Sequence, residues 1–296
     1  MMNFSGLCVA LATPFTRSGD LDLSAFRKLV NHVVTGGVDV LVPLGSTGEA
    51  VTLNDAERDQ VIEACLEESS GRPVVVGCGS NSTAACVAMT RRAQQLGAQG
   101  ALIVTPFYNK PTLSGLVAHF AAAADAAPGL PIILYNVPGR TGLNVTPAML
   151  KVLWENPQIV AVKESSGDVI QISEIVRTLP PGKTVFSGDD HLGVASIAIG
   201  AEGLISVVAN AFPAEIKAMV VAARAGDRQE ALRLHQQMLP IYHALFAESN
   251  PIPLKAQLAA MGIGTDMVRL PLVPAQPSTI EGLKKATAKV AQTALI

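Results

Sequence analysis

The stretch LGAQGALIVTP, residues 96–106, decides the fold because it contains the change from a helix to a buried strand. The same pattern occurs in TGGVDVLVP (35–43) and in IGAEGLISVVA (199–209). In each stretch a glycine ends a helical pattern, two or three residues turn the chain, and a hydrophobic strand follows. Repetition of this unit predicts a parallel sheet covered by helices.

Candidate strands of this kind occur along most of the chain, each followed by a helical pattern. They begin near Leu7, Val38, Pro73, Ala101, Pro131, Ile159, Thr184 and Leu204. Eight such units predict a (β/α)8 TIM barrel, and a doubly wound open sheet is the structural alternative. Ser24 is the predicted N-cap of the first helix, and Asn54 with Glu57 resembles a capping box.

After the eighth strand the chain has only helical patterns, with Pro251 and Gly262 between them. The first of these helices can complete the barrel, and the others form an extension. We therefore expect a catalytic barrel domain over residues 1–225 and a C-terminal helical domain over residues 226–296, packed on the barrel.

Composition excludes several classes of partner. The 22 Lys and Arg residues nearly balance the 24 Asp and Glu residues, giving a net charge of -2. No run of like charges occurs, so nucleic acid and anionic membranes are not expected partners. No segment reads as a transmembrane span or an export signal, which predicts a soluble, cytoplasmic protein.

The stretch IVAVKESSGD (159–168) carries a lysine at the end of a hydrophobic strand. Side chains alternate in a strand, so Ile159, Ala161 and Lys163 are expected on the inner face. This places Lys163 at the C-terminal mouth of the barrel, where TIM-barrel active sites lie. Desolvation there favours a neutral amine, a nucleophile that forms a Schiff base with a carbonyl. The alternative is a structural lysine paired with Glu164 or Asp168.

Two further strand ends meet the same mouth. Tyr135 ends strand five, and its phenol is a candidate for moving protons during Schiff-base formation. In GSTGE (45–49), after strand two, the backbone N–H groups and the hydroxyls of Ser46 and Thr47 could hold a small carboxylate. A core tyrosine and a plain turn are the structural alternatives.

Together GSTGE, VTPFYNKP (104–111), YNVPGRTG (135–142) and VAVKESSGD (160–168) resemble the pyruvate-dependent class I aldolase superfamily. This superfamily contains the dihydrodipicolinate synthases and the N-acetylneuraminate lyases. The resemblance runs from ALATPF near the N-terminus to RLPLVP (269–274), which is nearly the whole chain. It implies a homotetramer, a dimer of dimers, of (β/α)8 barrels that carry a C-terminal helical part.

The resemblance also implies roles for individual residues. Lys163 matches the Schiff-base lysine, and Tyr135, Ser46 and Tyr108 match a proton relay in which Tyr108 crosses a dimer interface. Thr47 matches the residue that binds the carboxylate of pyruvate. The residues matched to substrate binding further out are Arg140, Gly188, Asp189 and Ile205.

Arg140 favours the synthases within the superfamily, because it matches an arginine that receives the carboxylate of L-aspartate 4-semialdehyde and that sialic acid lyases lack. The implied reaction condenses pyruvate with this aldehyde, giving 4-hydroxy-tetrahydrodipicolinate on the diaminopimelate route to lysine. No cofactor and no metal are expected beyond pyruvate held on Lys163. This chain has Ser46 at the position where synthases usually have a threonine.

Two other functions stay open. One is a sister aldolase that acts on a longer 2-keto acid, of the sialic acid or 2-keto-3-deoxy sugar acid type. The other is a non-catalytic keto-acid binding protein. Lysine-sensitive relatives present a histidine, a glutamate and a tyrosine where this chain has Arg58, Ala85 and Phe107, so weak or absent inhibition by lysine is predicted.

Overall fold

The computed structural model describes residues 4–293, and its eight strands form one parallel sheet that closes into a barrel. The strands are β1 (Gly6–Ala10), β2 (Val40–Val42), β3 (Val75–Gly77), β4 (Gly100–Val104), β5 (Ile132–Asn136), β6 (Ile159–Glu164), β7 (Thr184–Ser187) and β8 (Gly203–Ser206). They pair in the order β2-β1-β8-β7-β6-β5-β4-β3, and a parallel bridge between Leu41 and Val74 joins β2 to β3. The predicted (β/α)8 barrel is therefore confirmed, and the open sheet is excluded.

Helices alternate with the strands and continue beyond β8. Among the described residues they are α1 (Leu23–Thr35), α2 (Asp55–Glu68), α3 (Thr83–Leu96), α4 (Leu113–Ala126), α5 (Pro138–Thr141), α6 (Pro147–Leu153), α7 (Val169–Arg177), α8 (Gly193–Ala198), α9 (Pro213–Arg224), α10 (Arg228–Leu245), α11 (Ile252–Ala260) and α12 (Pro277–Thr293). Short 3-10 turns cover Ser46–Gly48 and Ala50–Thr52 after β2. The connections after β2 and β5 thus carry helical turns at the mouth of the barrel.

Apolar side chains form two clusters. The smaller lies inside the barrel and includes Cys8, Ala161, Phe186 and Ile205. The larger lies between the strands and the surrounding helices, and it includes Val162. Strands covered on both faces in this way are buried, as the hydrophobic runs in the sequence predicted, except that Val104 at the end of β4 is only partly buried.

The alternation predicted for β6 is wrong at its first two residues. Consecutive residues of β5 pair with Ile159 and Ala161, so Val160 is the extra residue of a bulge. Val160 consequently joins the inner cluster and Ile159 the outer one. From Ala161 onward the alternation is regular, and it brings Lys163 to the inner side.

The N-cap predicted at Ser24 is also wrong. Asp22 caps α1, and its carboxylate accepts a hydrogen bond from the backbone N of Ala25 at 2.9 Å. Two good capping residues lie within three positions here, and the pattern alone does not choose between them. The capping box of α2 is confirmed, because Asn54 and Glu57 exchange side-chain to backbone hydrogen bonds of 3.0 Å.

The last three helices pack on the barrel and on one another. Helix α10 contacts both α9 and α12, and α11 contacts α12. The domain boundary predicted at residue 225 falls between α9 and α10, and the division into two domains stays a prediction. Within residues 4–293, no helix combines the length and apolar character that crossing a membrane requires.

Candidate active site

Lys163 lies on β6 directly beside Tyr135 on β5. The two residues occupy paired positions of the parallel ladder, and Lys163 pairs with Phe186 of β7 on its other side. The Lys163 side chain is buried, with an exposed fraction of 3%. Its Nζ lies 4.3 Å from the centre of the Tyr135 ring. A buried amine next to a phenol is the arrangement that Schiff-base chemistry requires.

The two carboxylates that could have paired with Lys163 have other partners. Glu164 accepts hydrogen bonds from the side chains of Asn136 and Gln171 and from the backbone of Ser166. Burial raises the pKa of Glu164, and these hydrogen bonds oppose the rise. Asp168 caps α7. Across the described part of the chain no salt bridge involves Lys163.

Gly188 leaves room for the lysine side chain. A Cβ at position 188 would lie 1.9 Å from the Oγ of Ser165 and 2.8 Å from the Cε of Lys163. No real side chain fits at such distances, so the stem of Lys163 passes where only glycine is possible. Burial raises the pKa of the neighbouring Asp189, and electrostatic interactions with His191 and Lys163 oppose this rise.

The next residue, Asp190, fixes the end of β8. Its buried carboxylate accepts hydrogen bonds from the hydroxyl of Ser206 and from the backbone N of Val207, the latter at 2.9 Å. Burial raises its pKa, although these hydrogen bonds oppose the shift. Ile205 belongs to this strand and lies in the inner cluster, in register with Cys8 of β1. The loop after β7 is thereby tied to β8 around the lysine.

Thr47 is held in the 3-10 turn that follows β2. It is buried, and its Oγ1 accepts a hydrogen bond from the Nδ2 of Asn250 at 2.9 Å. Ser46, the residue before it, is exposed. The two hydroxyls of GSTGE therefore have different surroundings, one fixed inside the protein and the other at the surface of the cavity described below.

Arg140 lies in the short helix α5, which begins with Pro138. Its guanidinium is exposed, and one nitrogen donates to the backbone O of Asn250 at 3.1 Å. Asn250 therefore contacts two of the predicted substrate-binding residues, Thr47 through its side chain and Arg140 through its backbone. We did not predict this residue, although it lies within the part of the chain that the family resemblance covers.

A cavity of about 290 Å³ opens between these loops. Its walls include Ser46, Tyr135, Arg140 and Asn250. Lys163, Thr47, Gly188, Asp189 and Ile205 lie outside this lining, whereas Tyr135, whose ring contacts the lysine amine, is part of it. The structure thus brings Ser46, Tyr135 and Arg140 together around one space, and Lys163 lies next to Tyr135.

Tyr108 is not part of this cavity. Its side chain is 89% exposed, and its backbone has a positive φ of 72°. The backbone N of Tyr108 donates to the O of Thr141, which ties its loop to the loop that carries Arg140. Within one chain, Tyr108 and Tyr135 therefore do not form the predicted relay, and the relay stays a prediction that needs a second copy.

The fold and the lysine on strand six define an enzyme of the class I aldolase type built on a (β/α)8 barrel. The chain belongs to the dihydrodipicolinate synthetase family, whose sequence model matches residues 3–290. The resemblance read from the motifs is confirmed by this match.

Individual relatives align with this chain over nearly its full length. The 4-hydroxy-tetrahydrodipicolinate synthase of Syntrophotalea carbinolica is 45% identical over 283 residues, which cover 95% of this chain and 96% of the relative. The crystal structure of dihydrodipicolinate synthase from Thermotoga maritima matches with a TM-score of 0.95 at 37% identity, covering 98% and 99% of the two chains. The chloride-inhibited enzyme from Acinetobacter baumannii, solved in complex with pyruvate, matches at 0.94 and 39% identity, covering 97% and 99%.

Proposed function

We propose that this chain is a 4-hydroxy-tetrahydrodipicolinate synthase that condenses pyruvate with L-aspartate 4-semialdehyde. The observation that carries the proposal is the buried Lys163 amine, which has no salt-bridge partner among the described residues and lies against Tyr135. The relatives bearing this name, at 43–48% identity over most of the chain, support the choice of reaction.

In the first step the Lys163 amine attacks the C2 carbonyl of pyruvate and forms a carbinolamine. Loss of water then gives the imine, and loss of a methyl proton gives the enamine. Each change moves a proton, and Tyr135 is the adjacent group able to carry it. Pyruvate bound on the lysine is the only covalent group in this scheme, and no metal or cofactor takes part.

Thr47 provides the hydroxyl that orients the carboxylate of pyruvate. Its Oγ1 already accepts a hydrogen bond from Asn250, so its own proton is free to point at a carboxylate oxygen. Holding the substrate by its carboxylate fixes the carbonyl carbon relative to the amine, and such positioning lowers the barrier to attack.

The enamine carbon then attacks the aldehyde of the second substrate. Arg140, exposed at the edge of the cavity, has the charge and the planar fork suited to binding the carboxylate of that substrate. Gly188, Asp189 and Ile205 bind substrate on the lysine side, outside the lining of the cavity. The amino group of the condensed product attacks the imine carbon, which closes the ring and releases Lys163.

The active enzyme is proposed to be a cytoplasmic homotetramer in which Tyr108 of one copy reaches the site of another. In a single chain Tyr108 is almost fully exposed, as are the apolar residues Val51 and Leu270. Burying these residues against a second copy would remove apolar surface from water. Mass photometry of the purified protein measures the assembly, and a monomer that is fully active would contradict this part.

A substrate panel separates the proposed reaction from the sister aldolases. Aspartate semialdehyde should support turnover with pyruvate, whereas sialic acid and 2-keto-3-deoxy sugar acids should not be cleaved. Arg140→Leu removes the guanidinium and should raise KM for the aldehyde more than KM for pyruvate. If KM for the aldehyde is unchanged, Arg140 does not bind this substrate.

Borohydride trapping tests the chemistry directly. Reduction in the presence of pyruvate should add one pyruvic acid less one oxygen atom to the intact mass. Lys163→Ala should lose this adduct, and the exposed Lys151→Ala is the matched control that should keep it. An adduct without turnover would favour a sister aldolase, and the absence of any adduct would favour a binding protein.

A further inference from the structure

A fully buried ion pair lies directly beside the Ser46–Gly48 turn. The Nζ of Lys255, on α11, lies 2.5 Å from the Oε1 of Glu49, and both side chains are 2% exposed. The pair joins the loop after β2 to a helix more than two hundred residues further along the chain. Buried pairs contribute little net stability because desolvation offsets the attraction, so such a pair needs another explanation.

Hydrogen bonds to both oxygens hold the carboxylate of Glu49 in place. Oε1 accepts from Lys255, and Oε2 accepts from the backbone N of Arg269 at 2.9 Å. The ring of Phe15 contacts both cationic side chains, with its centre 3.9 Å from the Nζ of Lys255 and 4.3 Å from the Cζ of Arg269. Although Glu49 borders the cavity, both of its oxygens already have partners, so its effect on a ligand acts through its neighbours.

Glu49 also ends the turn that contains Thr47. It has a left-handed backbone with φ of 49°, a conformation that is unfavourable for a residue with a side chain. Its backbone N donates to the O of Ser46 at 3.1 Å and closes the turn. Gly48, which lies between Thr47 and Glu49 in the chain, packs closely against Thr13. A Cβ added at Gly48 would lie 3.1 Å from the Oγ1 of Thr13. The backbone on the far side of Thr47 is therefore fixed by the ion pair.

We propose that Glu49 and Lys255 are positioning residues that hold the Thr47 hydroxyl where the carboxylate of pyruvate binds. The inference rests on the proposed role of Thr47. Thr47 is then fixed twice by the segment around α11, through its side chain by Asn250 and through the following backbone by Lys255. The C-terminal helices are in this sense part of the pyruvate site.

Steady-state kinetics on four variants test the proposal. Lys255→Met and Glu49→Gln each keep the side-chain volume and break the charge pair, and each should raise KM for pyruvate about ten-fold or more with a much smaller change in kcat. The double variant should be no worse than the more affected single variant, because either change breaks the same contact. Lys217→Met is the matched control, since it removes a lysine from a partly exposed pair with Asp39 away from this turn and should leave KM unchanged.

Thr47→Val separates failure of this inference from failure of the proposed site. If Thr47→Val raises KM for pyruvate and the Glu49 and Lys255 variants do not, the positioning role is wrong. If Thr47→Val leaves KM unchanged while borohydride still traps pyruvate, Thr47 is not the carboxylate site. If the increases in KM of the two single variants multiply in the double variant, Glu49 and Lys255 do not act through one contact, which would also contradict the proposal. Circular dichroism checks that each variant folds. If Lys255→Met does not fold, the proposal is tested by Glu49→Gln alone, since this variant keeps an acceptor for the backbone N of Arg269.

Discussion

Tyr135 and Lys163 are direct neighbours across two parallel strands, with the amine 4.3 Å from the centre of the aromatic ring. Because both residues belong to buried strands, their backbones cannot move independently. The aromatic ring and the amine are thus held together before any substrate arrives.

Replacing Tyr135 with phenylalanine tests this relationship. The ring remains, so the packing on Lys163 should survive, but the proton carrier is lost. We expect kcat to fall by about 10²–10⁴-fold, the usual contribution of a general acid or base. Borohydride should still trap pyruvate on Lys163, only more slowly. Full activity in this variant would show that another group moves the proton.

Gly188→Ala should inactivate the enzyme without unfolding it. The new methyl group would overlap the Oγ of Ser165 and the stem of Lys163, so the lysine must leave its position. Turnover and the pyruvate adduct are both expected to fall strongly, as measured by the coupled assay and intact mass. Gly282→Ala on α12 is the control, because a Cβ there meets no atom within 4 Å. Retained trapping in Gly188→Ala would show that the lysine adapts.

The position of Lys163 was predictable because it depends on local pattern alone. Eight repeats of strand and helix predict the barrel, and the barrel brings every strand end to one mouth. The bulge at Val160 was not predictable, because an apolar run has the same composition whether it alternates regularly or contains one extra residue. The regular part of β6 includes the lysine, so the prediction of the site was unaffected.

The contacts of the C-terminal segment with the site could not be predicted in this way. Asn250 and Lys255 reach Thr47 and Glu49 across more than two hundred residues, and no periodicity relates such positions. From sequence, a lysine in an apolar helix is most simply interpreted as a surface residue that extends its amine to solvent, whereas Lys255 is buried. Long-range polar pairs of this kind become visible only in three dimensions.

Lysine should inhibit this enzyme weakly or not at all. At the positions aligned with the feedback site, Arg58 is half-buried and donates hydrogen bonds to the backbone O of Leu53 and Ala50, which leaves a cation where an ammonium ligand would have to bind. Steady-state assays at saturating substrate with added lysine measure this. The triple variant Arg58→His, Ala85→Glu, Phe107→Tyr should be more sensitive, and strong inhibition of the parent by sub-millimolar lysine would refute the prediction.

His119 should contribute a loss of stability as the pH falls below about 6.5. Its imidazole is buried against α3, with Nδ1 3.0 Å from the Oγ1 of Thr83, and burial lowers its pKa. The unfolded chain therefore binds the proton more readily than the folded chain. Between the two pKa values stability rises with pH, so the contribution of His119 is complete above the unfolded value and is lost as pH falls through the folded one.

His119→Gln removes the titration and leaves a polar group for Thr83. The difference in the free energy of unfolding between about pH 7.5 and about pH 5 should be smaller in this variant than in the parent, as measured by urea denaturation. His243→Gln, a change at an exposed position, is the control and should keep the parent's difference. If His119→Gln also keeps the parent's difference, protonation of His119 does not contribute to the change in stability over this range of pH.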